Sequence, residues 1–276
     1  MSKNKSSIQP KYIIDSHSHY GFWPTLKKCE NNLITSINEH NISFSLISFD
    51  GTEFKENSNF SKIVSTIEGC KKLLNLIKKY PNTFGMLIWI RPFSEKNVAE
   101  IEYFIKNHKE KIYGLKFHPY LSHLRISDKK VTSFFDIATK FNLPILVHTA
   151  NDKYSQLKYL IRVCKKYPSI NFIAAHCVLE TDHKEILIAL KENPNLYCDT
   201  AWVDIHFIKI LKENNLMDRV IFGTDNPIDG VNTLNEKIYE NYFKNSINLS
   251  SNDINNLMYK NATRIYHVPL NVLKNN

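Results

Sequence analysis

The sequence predicts one (β/α)8 barrel (a TIM barrel) as a single domain over residues 1–276. Three observations lead there. Short β-branched or aromatic runs alternate with longer Lys-, Glu- and Leu-rich helical patterns, eight pairs in all. A length of 276 residues suits one barrel. Polar, chemistry-bearing side chains collect where the strand runs end, the face on which barrels carry their sites.

In chain order, the expected strands are 11–16, 43–49, 83–90, 112–117, 144–148, 170–175, 195–199 and 219–223. They alternate with expected helices near 27–40, 60–80, 94–109, 129–141, 153–167, 181–192, 204–214 and 233–245, and a last helix near 251–260 closes the chain. Tyr80-Pro81-Asn82, Asn142-Leu143-Pro144, Tyr167-Pro168 and Asn193-Pro194 each stop a helix before the next strand. No Gly/Ser linker or composition break divides the chain, and residues 1–10 read as a flexible N-terminal stretch. The competing doubly wound sheet needs a Gly-rich phosphate turn after its first strand, where this chain has His17-Ser18-His19-Tyr20-Gly21.

Composition narrows the partners. Hydrophobic residues make up 43%, so the chain buries a core. The polar start argues against a secretory signal, and no apolar run approaches the ~20 residues of a membrane span. Five scattered cysteines without a CxxC point to a reducing cytoplasm. Cys177, beside His176, reads as a small buried hydrophobe. The net charge of +9 lies in helix-like lysine pairs, which fits solvated faces; no basic and aromatic stripe calls for nucleic acid, and an anionic small-molecule substrate fits the charge. A homodimer is the default expectation for assembly.

The chemistry starts at His17 and His19. Residues i and i+2 of a strand share a face, so two imidazoles enter one space, and imidazole pairs suit a divalent metal. Later strands end in Lys116-Phe117-His118, Val147-His148-Thr149, Ala175-His176-Cys177, Cys198-Asp199-Thr200 and Gly223-Thr224-Asp225. His17, His19, His148, His176 and Asp225, on strands 1, 5, 6 and 8, can surround one ion.

These segments, together with Asn226-Pro227 and Asn261-Ala262, resemble the amidohydrolase superfamily in its amidohydrolase-related branch of metal-dependent hydrolases and non-oxidative decarboxylases, over nearly the whole chain. The resemblance implies that His17, His19, His148 and Asp225 bind one catalytic metal, zinc by preference, with manganese or iron as alternatives. It implies that His176 joins these ligands or stands beside them to orient or deprotonate a water, a duty shared with Asp225. It leaves two roles for Lys116: anion-binding or core-layer residue, or a carboxylated bridge between two metals. Expected pocket residues are Tyr20, Trp23, Arg91 (a carboxylate clamp), Lys116, His118 and Trp202. The leading function is hydrolysis of an amide, lactone or related carbonyl-type bond. The alternatives are decarboxylation of an aromatic or unsaturated acid, and a barrel that binds without catalysis. A related nuclease family expects a glutamate near strand 4, and none stands there.

Overall fold

The computed structural model describes residues 8–51, 64–92 and 98–274. Eight parallel strands run in sequence order: β1 (Ile14–Gly21), β2 (Phe44–Asp50), β3 (Phe84–Trp89), β4 (Ile112–Phe117), β5 (Ile145–Ala150), β6 (Phe172–Leu179), β7 (Leu196–Asp199) and β8 (Val220–Ile221). The main outer helices are α1 (Leu26–Glu39), α2 (Thr66–Lys79), α3 (Val98–Asn107), α5 (Thr132–Phe141), α6 (Leu157–Lys166), α7 (Lys184–Glu192), α8 (Ile205–Glu213) and α9 (Lys237–Phe243); α4 (Pro119–Ser122) is a single turn after β4. The chain ends in α10 (Ser251–Asn255), α11 (Asn261–Tyr266) and α12 (Leu270–Leu273).

The barrel closes where β8 meets β1. Ser16 N donates to Phe222 O at 2.9 Å, Asp225 N to His17 O at 2.7 Å and His19 N to Asn226 O at 2.8 Å, and Ser18 bridges Asn226 in parallel. Gly223 permits this approach: a Cβ there would lie 2.8 Å from His17 Cβ. The buried Asp15 carboxylate spans the seam, accepting from Ser18 Oγ at 2.6 Å and from Thr224 N at 3.1 Å, and from the Thr224 hydroxyl.

Inward positions obey the two-residue period on β2 to β5, while on β1 the register slips between Asp15 and Ser18, so that His17 follows Ile14 inward. Ile14, Phe44, Leu46, Leu87, Leu146, Ile173 and Ile221 fill the lower barrel, plugged by Ala262, Ile265 and Tyr266 of α11. Two residues further along the same faces stand Ser48, Trp89 and His148, and Lys116 follows Gly114 in the same way. The packed interior therefore turns polar one layer up, at the C-terminal end.

The eight strands and the barrel agree with the sequence expectation, and the differences are local. Ser65 and Glu68 form a capping box, each side chain accepting from the other's N–H at 3.2 Å, so α2 starts at Thr66; residues 60–63 of the longer expected helix lie outside the described residues, as do 94–97 of the next and residues 1–7 of the N-terminal stretch. Asp152 Oδ1 accepts from Tyr154 N and Ser155 N at 2.7 and 3.0 Å, a turn that delays α6 from the expected 153 to Leu157. The expected strand 219–223 narrows to two residues because its continuation bends to bond β1. The expected final helix continues to Tyr266 through a π-turn at Asn256–Lys260, whose Leu257 carbonyl accepts from Phe222 N at 3.0 Å. Asn261 accounts for its own motif: its side-chain amide donates to Met217 O at 2.7 Å and Val220 O at 2.8 Å, tying α11 to the entry of β8.

The seam yields a stability prediction. Asp15→Ala strands buried hydroxyl and amide donors and is expected to cost about 2–4 kcal/mol. Urea unfolding of the variant checks this; a loss below about 0.5 kcal/mol, the scale of an ordinary surface change, would contradict the role given to Asp15.

Candidate active site

The floor of the site is built by β1, β7 and β8. His17 Nδ1 lies 2.8 Å from Asp199 Oδ2, so this nitrogen carries the proton and Nε2 turns inward, 3.1 Å from Asp225 Oδ1 and 2.6 Å from Lys116 Nζ. His19 Nε2 reaches the same Asp225 oxygen at 2.8 Å. The other Asp225 oxygen accepts from the Trp202 indole N–H at 3.1 Å. Asp199 Oδ1 accepts from His176 N at 2.7 Å and Ala201 N at 3.1 Å. His176 holds its Nδ1 against Ala201 O at 3.2 Å and presents Nε2 to His148 Nδ1 at 3.0 Å.

Backbone strain concentrates here. His176, Cys177 and Val178 have φ of 66°, 47° and 72°, Trp202 60° and Asp225 65°. Bulky side chains rarely adopt such angles, and they persist where surrounding bonds over-determine them.

Burial dominates the electrostatics. It lowers the His19, His118 and His148 imidazoles below their ordinary value and brings His176 to about 4. Burial also brings Lys116 down to about 8, against the pull of Asp225, Asp199 and Asp50. Burial opposes ionisation of Asp225 and Asp199, but His17 and its neighbours outweigh it and hold both carboxyls low. Burial and Lys116 oppose protonation of His17, but Asp199 and Asp225 outweigh them and raise its pKa, so this imidazole must give up a proton to ligate. Neutral His19, His148 and His176 beside an ionised carboxylate already match what metal ligation requires.

The donor set fits a divalent cation. One ligand atom each from His17, His176 and Asp225 lies within 4.8 Å of the others, and all three residues are buried. His17 and His176 each commit Nδ1 to a fixed oxygen acceptor, the usual support behind a ligating imidazole.

Above this floor opens a cavity of about 370 Å³. His19, Lys116, His118, His148, His176, Trp202 and Asp225 line it, and Leu121, Leu179 and Ile228 add apolar wall. His118 stacks on His148 with ring centres 3.9 Å apart and planes 13° apart, and Trp89 lies parallel to His118 at 5.7 Å. Three expected pocket residues stand elsewhere. Tyr20 alternates to the outer face of β1, buried edge-on against Phe49. Trp23 meets the edge of His19 at 5.9 Å without lining the cavity. Arg91 is buried with its guanidinium turned to β2, donating to Phe49 O at 2.7 Å and lying 5.6 Å from the Trp89 ring, so it supports the wall rather than facing the cavity. Strand-end reasoning did not assign roles to Asp199, Asp50 or Trp89. All three end strands, the signal that singled out the histidines.

A family model described as Amidohydrolase matches residues 14–268. The chain belongs to the amidohydrolase family. Solved structures of similar fold include decarboxylases, a probable hydrolase and a hydratase. No curated protein sequence matches this amidohydrolase. Among solved structures, it is similar to 5-carboxyvanillate decarboxylase from Novosphingobium aromaticivorans in complex with manganese and 4-hydroxy-3-methoxy-5-nitrobenzoic acid (TM-score 0.72, 11% identity, 96% of this chain and 99% of that one covered). It is also similar to a probable 2-pyrone-4,6-dicarboxylic acid hydrolase from Acinetobacter baumannii with citric acid bound (0.66, 14%, 93% and 99%). A third is 4-oxalomesaconate hydratase from Rhodopseudomonas palustris (0.68, 15%, 95% and 98%). At these identities the structural likeness speaks for the fold. No helix among the described residues is long and apolar enough to cross a membrane.

Asp199 gives the sharpest prediction from this geometry. Asp199→Ala frees His17 to rotate and is expected to weaken zinc binding about 10- to 100-fold. Competition with a chromophoric chelator measures it; unchanged affinity would separate Asp199 from the metal site.

Proposed function

We propose that this amidohydrolase is a metal-dependent hydrolase of a small, carboxylate-bearing molecule, cleaving an amide, lactone or related carbonyl-type bond. The observation that carries the reading is the buried convergence of His17, His176 and Asp225 at the floor of an open cavity, with His19 and Lys116 in contact with them. His17, His19, His148 and Asp225 would hold one divalent ion, and His176, which clusters with His17 and Asp225 and meets His148 Nδ1 at 3.0 Å, would stand at the edge of that ion. Zinc is the expected ion, and the same nitrogen and oxygen donors accept manganese or iron. When bound, such an ion supplies Lewis acidity, making a nucleophile from water near neutral pH and polarising a carbonyl.

The remaining steps fall to the chain's own side chains. His176, with Nδ1 held at Ala201 O and Nε2 turned inward 3.0 Å from His148 Nδ1, would take a proton from water and return it to the leaving group. Lys116 and His118 share one face at the cavity wall, where an ammonium and an imidazole suit a substrate carboxylate. The parallel Trp89 and His118 rings make a flat wall for a planar substrate. Five free cysteines, all buried, support a reducing compartment, the cytoplasm.

The flat, ring-walled cavity also favours a second reading, decarboxylation of an aromatic or unsaturated acid. There the substrate carboxylate would bind the ion, and the ring carbon would take a proton from solvent as the bond to CO₂ breaks. Incubation with a panel of lactones, amides and aromatic acids in water labelled at oxygen separates the two. Label in the product without CO₂ release supports hydrolysis; CO₂ release without label incorporation supports decarboxylation.

The division of roles is testable by mutation. His148→Ala is expected to lose most of its metal. His176→Ala should keep much of its metal and lose turnover by about 10²–10⁴-fold, the contribution of a positioned acid–base group. Metal analysis alongside initial rates decides it, and equal metal loss in both variants would overturn the assignment.

A further inference from the structure

Asp225 presents its two oxygens to different neighbours. Oδ1 faces the His17 and His19 nitrogens at 3.1 and 2.8 Å, and Oδ2 is taken by the Trp202 indole N–H at 3.1 Å. Trp202 is itself clamped. Its backbone N–H donates to the Tyr239 hydroxyl at 2.9 Å, and that hydroxyl donates onward to Thr224 O at 2.8 Å, one residue before Asp225. Tyr239 is fully buried, so this bridge between the β7 and β8 loops is shielded from water. Trp202 and Asp225 both hold left-handed backbone angles, φ 60° and 65°. Two strained residues are therefore locked to each other by one indole bond and one phenol.

From this arrangement we infer that Trp202 is a positioning residue that occupies Asp225 Oδ2, so that the carboxylate offers a bound metal ion through Oδ1 alone. The inference rests on the metal reading above and goes further by naming what fixes the carboxylate. A carboxylate free at both oxygens can rotate or chelate through both, which adds a ligand and changes the ion's coordination number. An indole N–H has a donor and no acceptor, so it can hold an ionised oxygen without competing for the ion. Tyr239 acts one step further out, by holding the Trp202 backbone in register with β8.

Cobalt(II) substitution tests this, because the intensity of cobalt visible bands falls as coordination number rises. Wild type, Trp202→Phe and Tyr239→Phe are titrated with cobalt(II), recording visible absorption, affinity and circular dichroism. Trp202→Phe is expected to bind cobalt about 10- to 100-fold more weakly, with less intense bands, while keeping a native dichroism spectrum. Tyr239→Phe should shift the bands in the same direction by less. Cobalt bound by Trp202→Phe with wild-type bands and affinity overturns this inference alone. If Trp202→Phe does not fold, Tyr239→Phe decides: weaker bands support the inference, and unchanged bands and affinity overturn it. Failure of wild type to take up cobalt overturns the metal reading, and this inference with it.

Discussion

The site depends on the pairing of β8 with β1. The 2.7 Å bond from Asp225 N to His17 O closes the barrel and, in the same stroke, sets a carboxylate beside two imidazoles. Gly223 lets the strands approach, Asp15 ties them from below, and Asn261 anchors the chain entering β8. Closing the seam costs left-handed backbone at Asp225, and the bonds of Trp202 and Tyr239 on either side hold it there. Structural and chemical roles cannot be separated here, since the residues that end the sheet are those that face the cavity.

The interior charges are arranged as a chain: Asp199 behind His17, His17 before Asp225, Lys116 beside His17. Isolated buried charges are expensive: Asp199 and Asp225 each meet His17, and Lys116 lies against His17 Nε2 within the field of Asp225, Asp199 and Asp50. The cavity above is walled on one side by parallel rings, leaving the Asp225 and Asp50 carboxylates, the imidazoles and the ammonium among its polar groups. That contrast between a charged floor and flat walls is what suits a small planar substrate with one polar reacting end.

Much of this was legible in the sequence because it follows from period and position. HxH at the end of a strand, His148 two residues after Leu146 and Asp225 after Gly223 are all read from alternation along a strand, and the barrel follows from eight repeats of one pattern. What was not legible depends on direction. Tyr20 follows His19 directly and so turns to the opposite face; Arg91 follows β3 as expected, but its long side chain swings back to Phe49 O. The role of Asp199 was hidden because a lone aspartate at a strand end looks the same whether it meets substrate or supports a histidine from behind. Only the 2.8 Å contact with His17 distinguishes the two.

Anomalous diffraction from crystals grown with zinc, recorded at the zinc edge, tests the central claim most directly. One strong peak per chain is expected among His17, His19, His148 and Asp225. A pair of peaks bridged by Lys116, or a zinc-soaked crystal with no peak at the end of the β1–β8 seam, would contradict it.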